Sequence, residues 1–163
     1  MLRDKNLIPL SHQHQHALAL CVRIDRADPT MADMEAWQAE IQQIWEQEIS
    51  VHFAAEETVL FPAVVRLDDL RKVVTELIGE HEVLRGFFAR ARQRTLHPES
   101  LKTFGQTLAA HVRKEERQLF ESMQKQLSAA ELAAVGADLD RELAQAPDAC
   151  LLPSETTRLR PKK

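Results

Sequence analysis

His52-Phe53-Ala54-Ala55-Glu56-Glu57-Thr58-Val59-Leu60-Phe61 and His111-Val112-Arg113-Lys114-Glu115-Glu116-Arg117-Gln118-Leu119-Phe120 follow one pattern, H-x-x-x-E-E-x-x-L-F. Both stretches sit in apolar periodicity of helical type, with spacings of three and four residues. Before the first copy run Met34, Trp37, Ile41, Ile44, Trp45 and Ile49, and Val59 and Leu60 lie within it. Phe104 and Leu108 precede His111, and Leu119 follows it. Each copy therefore belongs to a long helix, predicted over 31–65 and 98–127. Pro62 falls inside the last turns of the first of these and is expected to loosen them.

Each of these helices is preceded by another that carries one histidine on its apolar stripe. Residues 9–27 hold His14 among Leu7, Leu10, Ala17, Leu18, Cys21 and Ile24. Residues 69–94 hold His81 among Val74, Leu77, Ile78, Leu84 and Phe88. Asp28-Pro29-Thr30 and His97-Pro98-Glu99 are breaks, because a proline disfavours helix in the residue before it. Thr30 or Asp33 can cap the second helix, and Leu67-Asp68-Asp69 turns the chain into the third. Ser128-x-x-Glu131 is a capping-box signature, so a fifth and shorter helix is predicted over 129–145, ended by Pro147.

Composition agrees with this reading. The 163 residues include 4 Gly and no Tyr, too few turn formers and strand-favouring aromatics for a sandwich or barrel. Four long helices with short connections fold most simply as an all-α, up-down antiparallel four-helix bundle with a short extra C-terminal helix and tail. The expected domain is 1–145, with its core at 10–127, followed by a solvated tail at 146–163. No strict heptad persists across the breaks, which argues against a coiled coil. The net charge is −4 and no basic stretch precedes the tail, so no nucleic-acid partner is expected. No run of 18 apolar residues exists, so no membrane partner is expected. No apolar segment follows the first charged residues, so no secretory signal is read and a cytoplasmic location is expected. Cys21 and Cys150 form no motif and are read as reduced thiols, Cys21 as a packed one.

The spacing carries chemistry. A His and a Glu four residues apart on a helix have Cβ atoms roughly 5–6 Å apart on one face, so both can reach one ion in a bundle core. Four imidazoles and two carboxylates on apolar stripes are costly to bury unpaired, and a shared dication offsets that cost. The candidate metal ligands are His14, His52, Glu56, His81, His111 and Glu115, with the two glutamates each bridging two cations. Imidazole with carboxylate suits iron, manganese or zinc. His12 and His16 point about 160° away from His14 on a helix of 3.6 residues per turn and are read as solvent-facing, and His97 as a loop residue. Glu57 and Glu116, about 100° round from the ligands, are read as groups behind the site or on the surface. Glu80 stays outside the ligand set.

Pro9-Leu10-Ser11-x-x-His14, His52-Phe53-x-x-Glu56-Glu57-x-x-Leu60-Phe61-Pro62, Glu80-His81-x-x-Leu84-Arg85 and His111-x-x-x-Glu115-Glu116-x-x-Leu119-Phe120 together resemble the hemerythrin-like, or HHE cation-binding, domain family. The resemblance covers about 10–127. It implies a four-helix bundle around a non-haem di-iron centre of two iron ions, oxo- or hydroxo-bridged, with roles in O2 binding, response to NO or oxidative stress, iron handling or redox sensing. The oxygen-carrying members have H-x-x-x-H on the third helix, where this chain has His81 and Arg85. They have H-x-x-x-x-D on the fourth, where it has H-x-x-x-E. One fewer imidazole makes the ligand set more symmetric, whereas reversible O2 carriage needs one saturated and one open iron. The expected function is therefore a di-iron protein that binds or senses O2, NO or redox and iron status. The alternative is a di-iron oxidoreductase acting on peroxide, O2, NO or Fe2+. Arg85 would set a positive charge near the mouth of the site, for an anionic ligand or for a glutamate behind the site.

Overall fold

The computed structural model describes residues 2–146 and 152–161. Pro147, Cys150 and the terminal lysines, read above as a helix stop, a reduced thiol and part of a solvated tail, lie outside them. Five helices follow in order: α1 (Ile8–Arg26), α2 (31–64), α3 (Asp68–Arg92), α4 (98–126) and α5 (Ala129–Leu143). Among the described residues there is no strand. Four of the five starts have a local cause. Pro9 and Pro98 stand in first turns, where a missing N–H costs nothing. Thr30 with Asp33 and Ser128 with Glu131 form reciprocal capping boxes ahead of α2 and α5. Arg94, in the left-handed region at φ 59°, turns the chain after α3.

Side-chain pairs fix the topology. His52 meets Gln13, Glu48 meets His16 and Glu40 meets Arg23, so α1 and α2 run antiparallel. Glu57 with His81 and Gln42 with Arg94 set α2 against α3 in the same way. Glu80 with His111 and Arg90 with Ser100 do so for α3 and α4. Ser11 with Glu116 and the backbone of Ile24 with Lys102 close the ring between α4 and α1. The bundle is up-down, as the short connections predict.

Two apolar cores fill the bundle. One contains Leu20, Ile24, Trp37, Ile41, Phe88 and Phe104, and the other Leu10, Leu60, Leu77, Leu119 and Phe120. α5 packs Leu132, Val135 and Leu139 onto the second core. The N-terminal strand of chain crosses it so closely that a Cβ on Gly136 would meet Asn6 Oδ1 at 2.5 Å. Ile78, expected on the apolar stripe, is 43 % exposed instead. It lies one residue beyond Leu77, and the 100° step turns it out of the bundle.

α2 and α4 are not uniform. Each opens into a π-helical turn, at Trp45–Ile49 and Glu56–Leu60 in α2 and at Glu115–Phe120 in α4. The last two begin on the candidate ligands Glu56 and Glu115. Pro62 follows the Glu56 turn, but α4 has the same turn with Glu121 in the matching place. The widening therefore accompanies the inward glutamate and not the proline. Such turns concentrate at functional positions.

The segment expected to be a solvated tail docks in part. Thr157 is fully buried. Arg23 on α1 holds its carbonyl at 2.7 Å while also pairing with Glu40 on α2. A buried ion pair with one guanidinium N–H to spare is satisfied by returning the chain to it.

Candidate metal centre

All six expected ligands meet in one polar layer between the two cores. His14, His52, Glu56, His81, His111 and Glu115 are each at most 4 % exposed. They form two overlapping sets that share both carboxylates. His14 and His52 face Glu56 and Glu115 on one side, and His81 and His111 face them on the other. His14 Nε2 lies 3.1 Å from His52 Nε2 and 3.1 Å from Glu115 Oε2. His52 Nε2 lies 3.1 Å from Glu56 Oε1. On the other side His81 Nε2 is 3.3 Å from Glu56 Oε2, and His111 Nε2 is 3.2 Å from Glu115 Oε1. Metal–nitrogen and metal–oxygen bonds are about 2.0–2.2 Å, so donors sharing one ion at ordinary angles stand roughly 3.0–3.4 Å apart. The cross pairs, His14 to Glu56 at 3.8 Å and His81 to Glu115 at 3.9 Å, fit wider angles in the same two shells.

The donor atoms converge, and of the Nε2 atoms only those of His14 and His52 are in hydrogen-bond contact, with each other. Both oxygens of Glu56 and of Glu115, and Nε2 of His81 and of His111, are buried without a hydrogen-bond partner. Orphaned groups of this kind are rare in folded proteins, and six converging in one layer fit a shared cation that would accept their lone pairs. Nitrogen and oxygen donors with no thiolate fit iron, manganese or zinc. Cys21 is outside both sets, and burial pushes its thiol up to about 12, so it is a packed, protonated thiol.

Every histidine is aimed from behind. The Nδ1 groups of His14, His52, His81 and His111 bond to Glu116 (2.6 Å), Gln13 (2.7 Å), Glu57 (2.8 Å) and Glu80 (2.9 Å). Such partners fix the ring and leave Nε2 as the donor to a metal. The doubled glutamate of the repeat now has a physical reading. The first Glu turns inward between the two sets. The second reaches sideways to the histidine of the neighbouring helix, Glu57 to His81 and Glu116 to His14. The closing Phe covers that same ring: Phe61 lies against His81 and Phe120 against His14. Phe53 stacks on His81 at 3.7 Å between centroids.

The carboxylates behind the rings are themselves held by cations. Arg85 pairs with Glu57, Lys114 with Glu80, and Arg3 with Glu116. Arg85 thus serves a glutamate behind the site. Of the two places expected for Glu57 and Glu116, behind the site or on the surface, they take the first, against His81 and His14, while Gln13 behind His52 was not expected. The available signal was its position directly before His14, matching Glu80 before His81.

The charges follow from this packing. Burial pushes the His14 imidazolium toward neutrality, but Glu115, Glu116 and Glu56 outweigh it and hold its pKa up at about 9. Burial acts the same way on His111, where Glu115, Glu80 and Glu56 raise it to about 10. Burial and the neighbouring Glu115 push Glu56 up, yet His52 and His81 bring it below the ordinary carboxylate value. Glu115 is held well below that value, since His111 and His14 overcome its burial.

No match was found among curated proteins or among solved structures. No helix among the described residues is long and apolar enough to cross a membrane. The profile of the Hemerythrin HHE cation binding domain matches residues 9–123, which span α1 to α4 and every residue of the polar layer, and the chain belongs to that family.

Proposed function

We propose that this protein holds two iron ions and binds or senses O2, NO or the redox and iron status of the cytoplasm. His14 and His52 would hold one ion, His81 and His111 the other, and Glu56 and Glu115, common to both donor sets, would serve both. The observation that carries this reading is the layer of six buried donors whose free atoms converge and whose rings are aimed from behind. Bound iron supplies the change of oxidation state and the vacant position for a small ligand.

The chain supplies the rest. Gln13, Glu57, Glu80 and Glu116 hold Nδ1–H so that each Nε2 lone pair faces inward. Phe53, Phe61 and Phe120 exclude water from the rings they cover. The two cores fix the spacing of the helices, so the site is rigid before a ligand arrives. Two imidazoles and two shared carboxylates would leave room beside each ion for an exogenous ligand.

A second reading, a di-iron oxidoreductase turning over peroxide, O2, NO or Fe2+, draws support from a small cavity at the His14, His52 and His111 side. Metal analysis with absorption spectra, recorded anaerobically and after air or NO, tests both. Two irons per chain with reversible spectral change support binding or sensing. Sustained peroxide or O2 consumption favours the enzyme. A chain that stays folded and metal-free after growth in iron overturns both readings. In His52→Ala/His111→Ala the metal should be lost, and full occupancy there overturns the ligand set.

A further inference from the structure

Glu48 belongs to neither set of ligands, yet it is 4 % exposed and its Oε1 is buried without a partner. It lies one turn before His52, on the π-helical turn Trp45–Ile49. Its other oxygen, Oε2, accepts from His16 Nδ1 at 2.9 Å, and the His16 side chain is 56 % exposed. Glu48 also lines the small cavity with Gln13, His14, His52, His111 and Glu115. That cavity is about 10 Å3, room for a single water-sized particle. The sequence reading placed His16 in solvent. The structure pairs it, still exposed, with Glu48, whose carboxylate is buried beside the cavity that reaches the ligand layer.

At the other three histidines the carboxylate behind the ring is already paired with a cation. Behind His14, His81 and His111, the carboxylates of Glu116, Glu57 and Glu80 are capped by Arg3, Arg85 and Lys114. Phe53 and Phe61 further cover His81. Behind His52 stands neutral Gln13, with Glu48 beside the same cavity and no Lys or Arg paired to either among the described residues. A dication is drawn less to a carboxylate already paired with Lys or Arg than to one without such a partner.

We propose that His16 and Glu48 form the uptake route by which a divalent cation reaches the two-ion centre. The proposal rests on the two-ion reading above. A hard dication gives up water reluctantly and exchanges it most readily for carboxylate oxygen. His16 and Glu48 Oε2 take the ion at the surface, Glu48 Oε1 replaces water as it enters the cavity, and His14 and His52 then receive it. Glu48 is thus a transit ligand, not a resident one.

The test is anaerobic mixing of metal-free full-length protein with Fe2+, or with Co2+ as a chromophoric probe, followed by stopped-flow absorbance and by final metal content. Glu48→Gln should slow uptake at least ten-fold while the final two ions per chain and the helical circular dichroism match wild type. His16→Ala, on an exposed side chain, should slow it several-fold. Glu99→Gln removes the same charge from an exposed site at the start of α4 and should leave the rate unchanged. Wild-type rates in both Glu48→Gln and His16→Ala overturn the route but leave the two-ion reading intact. Equal slowing in Glu99→Gln also overturns it, because net charge alone would then explain the effect. A lowered final content in Glu48→Gln makes Glu48 a resident ligand and overturns the transit role. A wild-type chain that takes up neither metal overturns the underlying reading and the route with it.

Discussion

Gln13 and Glu80 occupy the same place in the two halves of the bundle. Each directly precedes a histidine of the polar layer, and each accepts the Nδ1–H of a histidine on the next helix, His52 at 2.7 Å and His111 at 2.9 Å. One is an amide and the other a carboxylate. The internal repeat differs here, so the two donor sets are inequivalent. A carboxylate behind an imidazole raises its basicity more than an amide does.

The ion between His81 and His111, with carboxylates behind both rings, should bind more tightly than the ion between His14 and His52. Titration calorimetry of the metal-free protein should resolve two steps. Gln13→Glu should strengthen the weaker one about ten-fold and bring the steps together, in line with the usual effect of such partners. A single step in wild type, or two steps unmoved by Gln13→Glu, would show that the difference is inert.

Glu56 and Glu115 belong to both donor sets, whereas each histidine belongs to one. Glu115→Ala should therefore reduce both ions to sub-stoichiometric occupancy, while His52→Ala should spare the His81 and His111 side. Elemental analysis of the purified variants measures this. One full ion retained in Glu115→Ala would contradict the bridging role.

His14 and His111 are raised from their ordinary 6.5 to about 9 and about 10. In the metal-free protein their pairing with the glutamates stabilises the fold fully below pH 6.5, where the unfolded imidazoles are also protonated. That contribution fades as pH rises through 9 to 10. A metal must displace those protons, so its affinity runs the other way and climbs over pH 7 to 10. Thermal unfolding with and without metal should show the metal-free Tm falling across this range while the stabilisation by metal grows. Proton release on loading at pH 7.5 is the direct check.

The bundle and its six inward residues were legible because both depend on period. Apolar residues three and four apart mark the buried stripe, and a histidine within that stripe has nowhere to point but inward. What was not legible depends on geometry between helices. Gln13 carries no mark of its role until α2 lies beside α1. The widened turns at Glu56 and Glu115 arise from a demand of the site, and residues 56–60 and 115–120 spell ordinary helix. Glu48 has the composition of a surface residue and is buried only because a histidine and a cavity flank it. Thr157 is polar and near the end of the chain, and its burial follows from a spare donor on Arg23.

That donor leads to the last expectation. Arg23 and Glu40 form an ion pair whose side chains are only 13 % and 10 % exposed, and the Thr157 carbonyl completes it. Glu40→Ala removes the countercharge of a nearly buried guanidinium, which costs about 3 kcal/mol. Truncation before residue 152 leaves the pair intact and removes one acceptor, which costs about 1 kcal/mol. Chemical denaturation should rank the two in that order. Limited proteolysis should cut within 152–161 faster in Glu40→Ala, because the Arg23 that anchors Thr157 loses its own anchor. Equal stability of Glu40→Ala and wild type would mean that the segment is held by something other than this pair.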